Sequence, residues 1–184
     1  METETPVGIN PRVDCVFKQI LQEPDLLLDF LGAVLSPTIP IVSVEVLNPS
    51  LRPERVTDRQ LVLDVRAADA SGRQYQIEMQ TWNETALKPR ILHTWAKLYS
   101  QQLEAGKRYQ SLRPAISIWL LNQNAFRRTP RFHHRFTLSD EHNLSLTDHC
   151  QIHALELQRW RTLHPSSTPT PLRGWLDFFS GAEA

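Results

Sequence analysis

Two acids, Asp64 and Glu78, and one amide, Gln80, are the side chains of this 184-residue chain best placed to do chemistry. Leu61-Val62-Leu63-Asp64-Val65 and Gln76-Ile77-Glu78-Met79-Gln80 both read as strands, rich in β-branched and aliphatic residues. Asp69-Ala70-Ser71-Gly72-Arg73 between them is turn chemistry. Alternate side chains of a strand share a face, so Glu78 and Gln80 point one way, Ile77 and Met79 the other. A hairpin centred on Ser71 sets Asp64 opposite Glu78, with Cβ atoms roughly 5 Å apart. Facing carboxylates destabilise a sheet unless something neutralises them. A divalent cation is the simplest neutraliser, since Mg²⁺ takes carboxylate oxygen together with several waters. The constellation suggests metal-dependent phosphodiester cleavage. The competing reading of each acid, taken singly, is an edge-strand carboxylate facing water.

The elements that must position this pair are legible in outline. Val13, Val16, Phe17, Ile20 and Leu21 form a helical stripe. Pro24 opens a second helix with Leu27, Phe30, Leu31, Val34 and Leu35 on its buried face, stopped by Pro37 and Pro40. Ile41 to Leu47 alternates as a half-buried strand, and 51–59 is a polar connection. Lys88-Pro89-Arg90 begins a long helix running to about Ala105, with Gly106 as its stop. The continuous apolar run from Pro114 to Leu121 predicts a central strand. Weaker strands are expected near 135–138 and 149–157. Residues 165–171 are Ser/Thr/Pro-rich and linker-like, and the tail Gly174 to Phe179 is apolar enough to dock on the body or on a partner. Helix, strand, strand, strand, helix, strand is an α/β order: a mixed sheet flanked by helices.

Length and composition allow one domain with a real core. Net charge is zero, so any nucleic-acid surface must be local. Cys15 and Cys150 form no metal-ligand pair, which favours a reducing compartment. The start is acidic and polar, and no apolar run in the second half is long enough to span a bilayer. A cytoplasmic protein without a membrane partner is the expectation. Phe126 to Arg135 holds four arginines, two histidines and no acid. Arg127, Arg128 and Arg131, interleaved with aromatics, suit DNA phosphates and bases; a solvated loop is the competing reading. Asp14 and Lys18 sit at helical (i, i+4) spacing, where a salt bridge is the plain interpretation. His142, His149, Cys150 and His153 lack a second paired motif, and Cys150 and His153 would leave a strand on opposite faces, which argues against zinc. Cys15 reads as core.

Several of these segments together resemble a known family. Asp14-Cys-Val-Phe17-Lys18, Leu63-Asp64-Val65 before a Gly-containing turn, Ile77-Glu78-Met79-Gln80, Arg90 opening the long helix and Gly106-Lys-Arg-Tyr109 after it occur in this order. The pattern resembles the PD-(D/E)XK nuclease superfamily, and within it the Rpn-like recombination-promoting nuclease and transposase branch. The resemblance covers 11–122 and extends more faintly to Phe179. It implies a restriction-endonuclease-like αβββαβ core over residues 1–164, followed by a linker and tail over 165–184. It further implies that Asp64 and Glu78 hold Mg²⁺ or Mn²⁺, with the Met79 carbonyl as a third ligand and Gln80 placing water. Asp14, Lys18 and Arg90 would be accessory, Lys18, Arg90 or Lys97 supplying the missing cation. Family members carry a lysine where this chain has Arg59-Gln60, and many continue past its last residue. The expected function is a Mg²⁺-dependent DNA endonuclease linked to recombination or mobile elements, with a homodimer by analogy. The alternative is a catalytically inactive interaction protein on the same scaffold.

Overall fold

The computed structural model describes residues 10–38, 40–51, 61–82, 84–103, 106 and 108–181. Its helices are α1 (Asp14–Gln22), α2 (Pro24–Leu35), α3 (Leu87–Ser100), α4 (Leu157–Leu163) and α5 (Thr170–Ser180). Its strands are β1 (Val44–Leu47), β2 (Ser50–Leu51), β3 (Leu61–Val62), β4 (Val65–Asp69), β5 (Gln74–Gln80), β6 (Ala115–Leu121), β7 (His133–Ser139) and β8 (Ser145–Glu156). Six strands form a mixed sheet in the order β1-β4-β5-β6-β8-β7; β5, β6 and β8 run parallel. β2 and β3 make a separate two-stranded ribbon.

Strand alternation explains the two layers. Tyr75 and Ile77 of β5, Ile116, Ile118 and Leu120 of β6 and Leu155 of β8 pack with Phe17, Phe30, Leu176 and Phe179 of α1, α2 and α5. On the other face, Trp119, Leu121, Ile152 and Ala154 meet Leu87 and Ile91 of α3. β6 is buried along its whole length, as its unbroken apolar run requires of a strand covered on both sides.

The hairpin between β4 and β5 has the expected register: Val65 pairs with Ile77 and Ala67 with Tyr75. Asp69 builds the turn, its Oδ1 accepting from Ser71 N at 2.8 Å and from Arg73 N at 3.1 Å. Gly72 has φ +83°, and a Cβ there would lie 3.1 Å from Arg113 Cγ. Gly72→Ala is therefore expected to cost about 1–2 kcal/mol, read as a lower urea midpoint with unchanged slope.

Several boundaries differ from expectation. The run 61–65 is two pieces, and Asp64 stands at a bend rather than inside a strand. β1 starts at Val44, not Ile41. α3 ends at Ser100, because the Gln102 amide brackets the backbone of Arg113 (3.0 and 2.9 Å) and draws the chain away. Ala105, Lys107 and Arg59-Gln60 lie outside the described residues, as does most of the polar connection at 51–59; Leu51 itself is a buried strand residue. β8 starts at Ser145, earlier than expected, and Leu157 begins α4. Thr170 and Pro171, read with the linker, form the first turn of α5. Leu172, Leu176 and Phe179 then recur at helical spacing and are buried. Phe179 meets Phe17 and Phe30 edge-on, and Trp175 Nε1 donates to Asp29 Oδ2 at 2.7 Å. Cys15 is exposed rather than core, since α1 turns Phe17 and Leu21 inward instead. Among the described residues no helix is long and apolar enough to cross a membrane.

Candidate active site

The chain leaves regular pairing at Asp64 because side chains take over the ladder bonds. Asp64 N donates to Glu78 Oε1 at 3.1 Å, and Met79 N donates to Asp64 Oδ2 at 2.9 Å. Each carboxylate thus caps the backbone of the other's strand, which fixes both side chains at the mouth of the hairpin. For Met79 it is the N–H that meets Asp64. Lys18 on α1 reaches the pair: its Nζ lies 2.8 Å from Asp14 and 3.4 Å from Asp64 Oδ1. Burial alone would lower the Lys18 pKa, but bonding to Asp14 and the charges of Asp64 and Asp14 hold it above its ordinary value.

Glu78 is 5% exposed and sits on the α3 face of β5 with Gln76 and Gln80. Its pKa is pushed up to about 8, first by desolvation and then by the charge of Asp64. The Asp64 N–H, Arg90 and the Gln76 amide pull it back without cancelling the rise. The Gln76 amide helps only in part: its Nε2 is buried without a full hydrogen bond, while its Oε1 accepts from Ser117 Oγ at 3.1 Å.

Gln80 is buried and engaged at both ends. Its Oε1 accepts from Arg90 Nη1 at 3.1 Å, and its Nε2 donates to the Trp82 carbonyl at 2.9 Å. Arg90 is itself held by Glu84 Oε2 at 2.7 Å and lies over the Trp119 ring. Of the three candidate cations, Lys18 meets Asp64 and Arg90 meets Gln80. Lys97 lies two helical turns beyond Arg90, about 10 Å further along α3.

Among the described residues no three His, Cys, Asp or Glu side chains gather as a ready metal set. The donor chemistry nevertheless fits a hard cation: two carboxylates interlocked through each other's backbone, one of them proton-retaining through burial and the charge of the other, a set that a divalent cation with water and carbonyl oxygen would satisfy.

The arginine segment divides. Arg127 lines a cleft beside the first turn of α3, whereas Arg131 lines a separate cavity with Phe132, His133 and Leu172 on the α5 side of the sheet. Arg128 is exposed. The segment is pinned by a pair that the sequence reading missed, Glu156 and Arg159. Glu156 is fully buried; its Oε1 accepts from Phe126 N at 2.8 Å and its Oε2 from Arg159 Nε at 2.6 Å. The same guanidinium donates to the carbonyls of Thr129 and Phe126. An acid ending a run of apolar strand residues, three before an arginine, is the one signal that pointed there. Glu84 carried none. Of the histidines, His149 bonds Tyr99 and His153 bonds His133 at 2.9 Å, while Cys150 packs on the opposite face from His153.

No curated protein and no solved structure matches this chain. A mixed six-stranded sheet with helices on both faces is a restriction-endonuclease-like architecture, and it carries the two acids on neighbouring chain segments at one end of the hairpin. The model of the PD-(D/E)XK nuclease family transposases matches residues 11–184, and the chain belongs to that family.

Proposed function

We propose that the protein is a metal-dependent DNA endonuclease whose cation is held by Asp64 and Glu78. The observation that carries this reading is the interlocked pair: two carboxylates fixed against each other's backbone, with Glu78 proton-retaining. Nucleases of this family generally use divalent metals. Bound there, Mg²⁺ or Mn²⁺ supplies charge stabilisation to the phosphate and acidity to an attacking water.

The chain's own residues do the rest. Asp64 and Glu78, the latter after losing its proton, would hold the cation, with the Met79 carbonyl as a further oxygen ligand. Lys18 holds Asp64 and keeps positive charge beside the phosphate. Gln80 cannot act as a base, but its amide, fixed by Arg90 and Trp82, orients water through a remaining amide hydrogen or lone pair. Asp14 orients Lys18. Water would then add its oxygen to phosphorus as the P–O bond to the sugar breaks, one water proton passing through solvent to the departing sugar oxygen, which gives a nick. Recombination or a mobile element is the setting that a transposase family suggests.

Proton release from Glu78 must accompany metal binding. Apparent Mn²⁺ affinity is expected to rise about tenfold per pH unit below pH 8 and to level off above it, read by titration calorimetry. A flat profile from pH 6 to 9 would contradict this. Relaxation of supercoiled plasmid with Mg²⁺, abolished by EDTA and by Glu78→Ala, tests the activity itself.

A second reading has one observation behind it. Lys18 already answers Asp64, and a protonated Glu78 adds no charge, so the pair is held without metal, as in an inactive interaction scaffold. Intact plasmid with every divalent ion tried would select it.

A further inference from the structure

One cleft contains charged and amide residues that the hydrolytic site does not use. It has a volume of about 820 Å³ and lies between the first turn of α3 and the segment after β6. Lys88, Arg127 and Arg159 line it together with the amides Gln123 and Asn124, and Glu84 is the acid on its wall. Glu84 is already answered by Arg90 at 2.7 Å, and Arg159 by Glu156 at 2.6 Å. Lys88 and Arg127 are exposed and form no ion pair among the described residues; Lys88 Nζ rests 5.1 Å from the centre of the Phe126 ring. Two cations without an ion-pair partner among the described residues therefore line the cleft, one on a helix and one on a loop pinned by a buried acid.

The cleft adjoins the acids through a continuous set of bonds. Glu84 holds Arg90, Arg90 holds Gln80, and Gln80 is two residues beyond Glu78 on the same face of β5. Asn122, next to Gln123, donates its N–H to the Gln80 carbonyl at 2.9 Å. β5 and β6 run parallel and both end here, and the carboxyl ends of parallel strands are where α/β sheets bind ligands. Its volume lies in the range that takes a nucleotide-sized group.

We infer that this cleft holds the DNA strand beside the cut, with Lys88 and Arg127 each pairing with one backbone phosphate. The identity of the ligand rests on the nuclease reading of Asp64 and Glu78; the cationic cleft does not. Arg131, in a cavity on the far face of the sheet, takes no part.

The test is the salt dependence of binding to a labelled DNA duplex, followed by fluorescence anisotropy in EDTA so that nothing is cut. Neutralising two phosphate contacts in Lys88→Gln/Arg127→Gln should make the slope of log K against log salt shallower by about 2, while Arg131→Gln keeps the wild-type slope. Thermal melts confirm that each variant is folded. A wild-type slope in the double variant, or an equal change in Arg131→Gln, overturns the assignment. Plasmid relaxation by the same proteins in Mg²⁺ separates the two levels of the account. Wild-type protein that nicks plasmid while the double variant keeps its slope removes the cleft and spares the hydrolytic site. Binding through Lys88 and Arg127 with no nicking does the reverse.

Discussion

Glu78→Gln is expected to melt at a higher temperature than the wild type in metal-free buffer at pH 9, and to lose more than about 100-fold in plasmid cleavage. Loss of a contact that merely supports a metal ligand costs 10–100-fold, so loss of a ligand itself should exceed that range. The stability gain follows from the raised pKa. Folded Glu78 keeps its proton up to about pH 8, whereas in the unfolded chain it ionises near 4.5. The folded state therefore binds more protons between those values, and stability falls as pH rises through that window. Above pH 8 the full cost is present, on the order of a few kcal/mol for a shift of this size. Gln keeps the shape without the charge, so the variant should melt roughly 5–10 °C higher at pH 9 and about level with wild type at pH 4.5. Mg²⁺ should narrow the gap by stabilising only the wild type, through mass action on the folded state. A Glu78→Gln protein that melts below the wild type at pH 9, or that cuts at a comparable rate, contradicts the assignment.

The largest purely structural effect is expected at Glu156. Glu156→Ala removes the acceptor of Phe126 N and strands Arg159, whose side chain is 14% exposed. Removing one partner of a buried pair costs about 3–5 kcal/mol. For a chain of this length that is a fall of roughly 10 °C in Tm by calorimetry. Glu156→Gln retains an acceptor for the Phe126 N–H and should lose less. Because the pair anchors the loop that carries Arg127, DNA affinity should fall in Glu156→Ala even at temperatures where the protein stays folded. A loss below about 1 kcal/mol would mean that the loop is held by something else.

What the sequence made legible was whatever repeats with a period. The turn at Ser71 and Gly72 fixed the register of β5 on β4, which runs as far as Val65 and Ile77 and stops one residue short of Asp64 and Glu78. The apolar run at 115–121 announced the central strand. Illegible were features set by single side-chain bonds between distant residues. Asp64 leaves the strand because Glu78 takes its N–H, and α3 stops early because Gln102 pairs with the Arg113 backbone. Neither bond alters a hydrophobic period. The bond from Phe126 N to Glu156, 30 residues apart, was hidden for the same reason, and α5 was masked by a Pro/Ser/Thr-rich stretch that hands over directly to a helix. The arginines of the loop were conspicuous as a group, but only their distribution over two faces of the sheet separates Arg127 from Arg131.

The claim on which the mechanism stands is that Asp64 and Glu78 hold one cation between them. Titration calorimetry of Mn²⁺ into wild-type protein and Asp64→Ala at pH 8.5, with circular dichroism to confirm that both are folded, addresses it most directly. Saturable binding by the wild type that disappears in Asp64→Ala is the predicted result. Binding of equal strength in the variant, or none in the wild type, would contradict it.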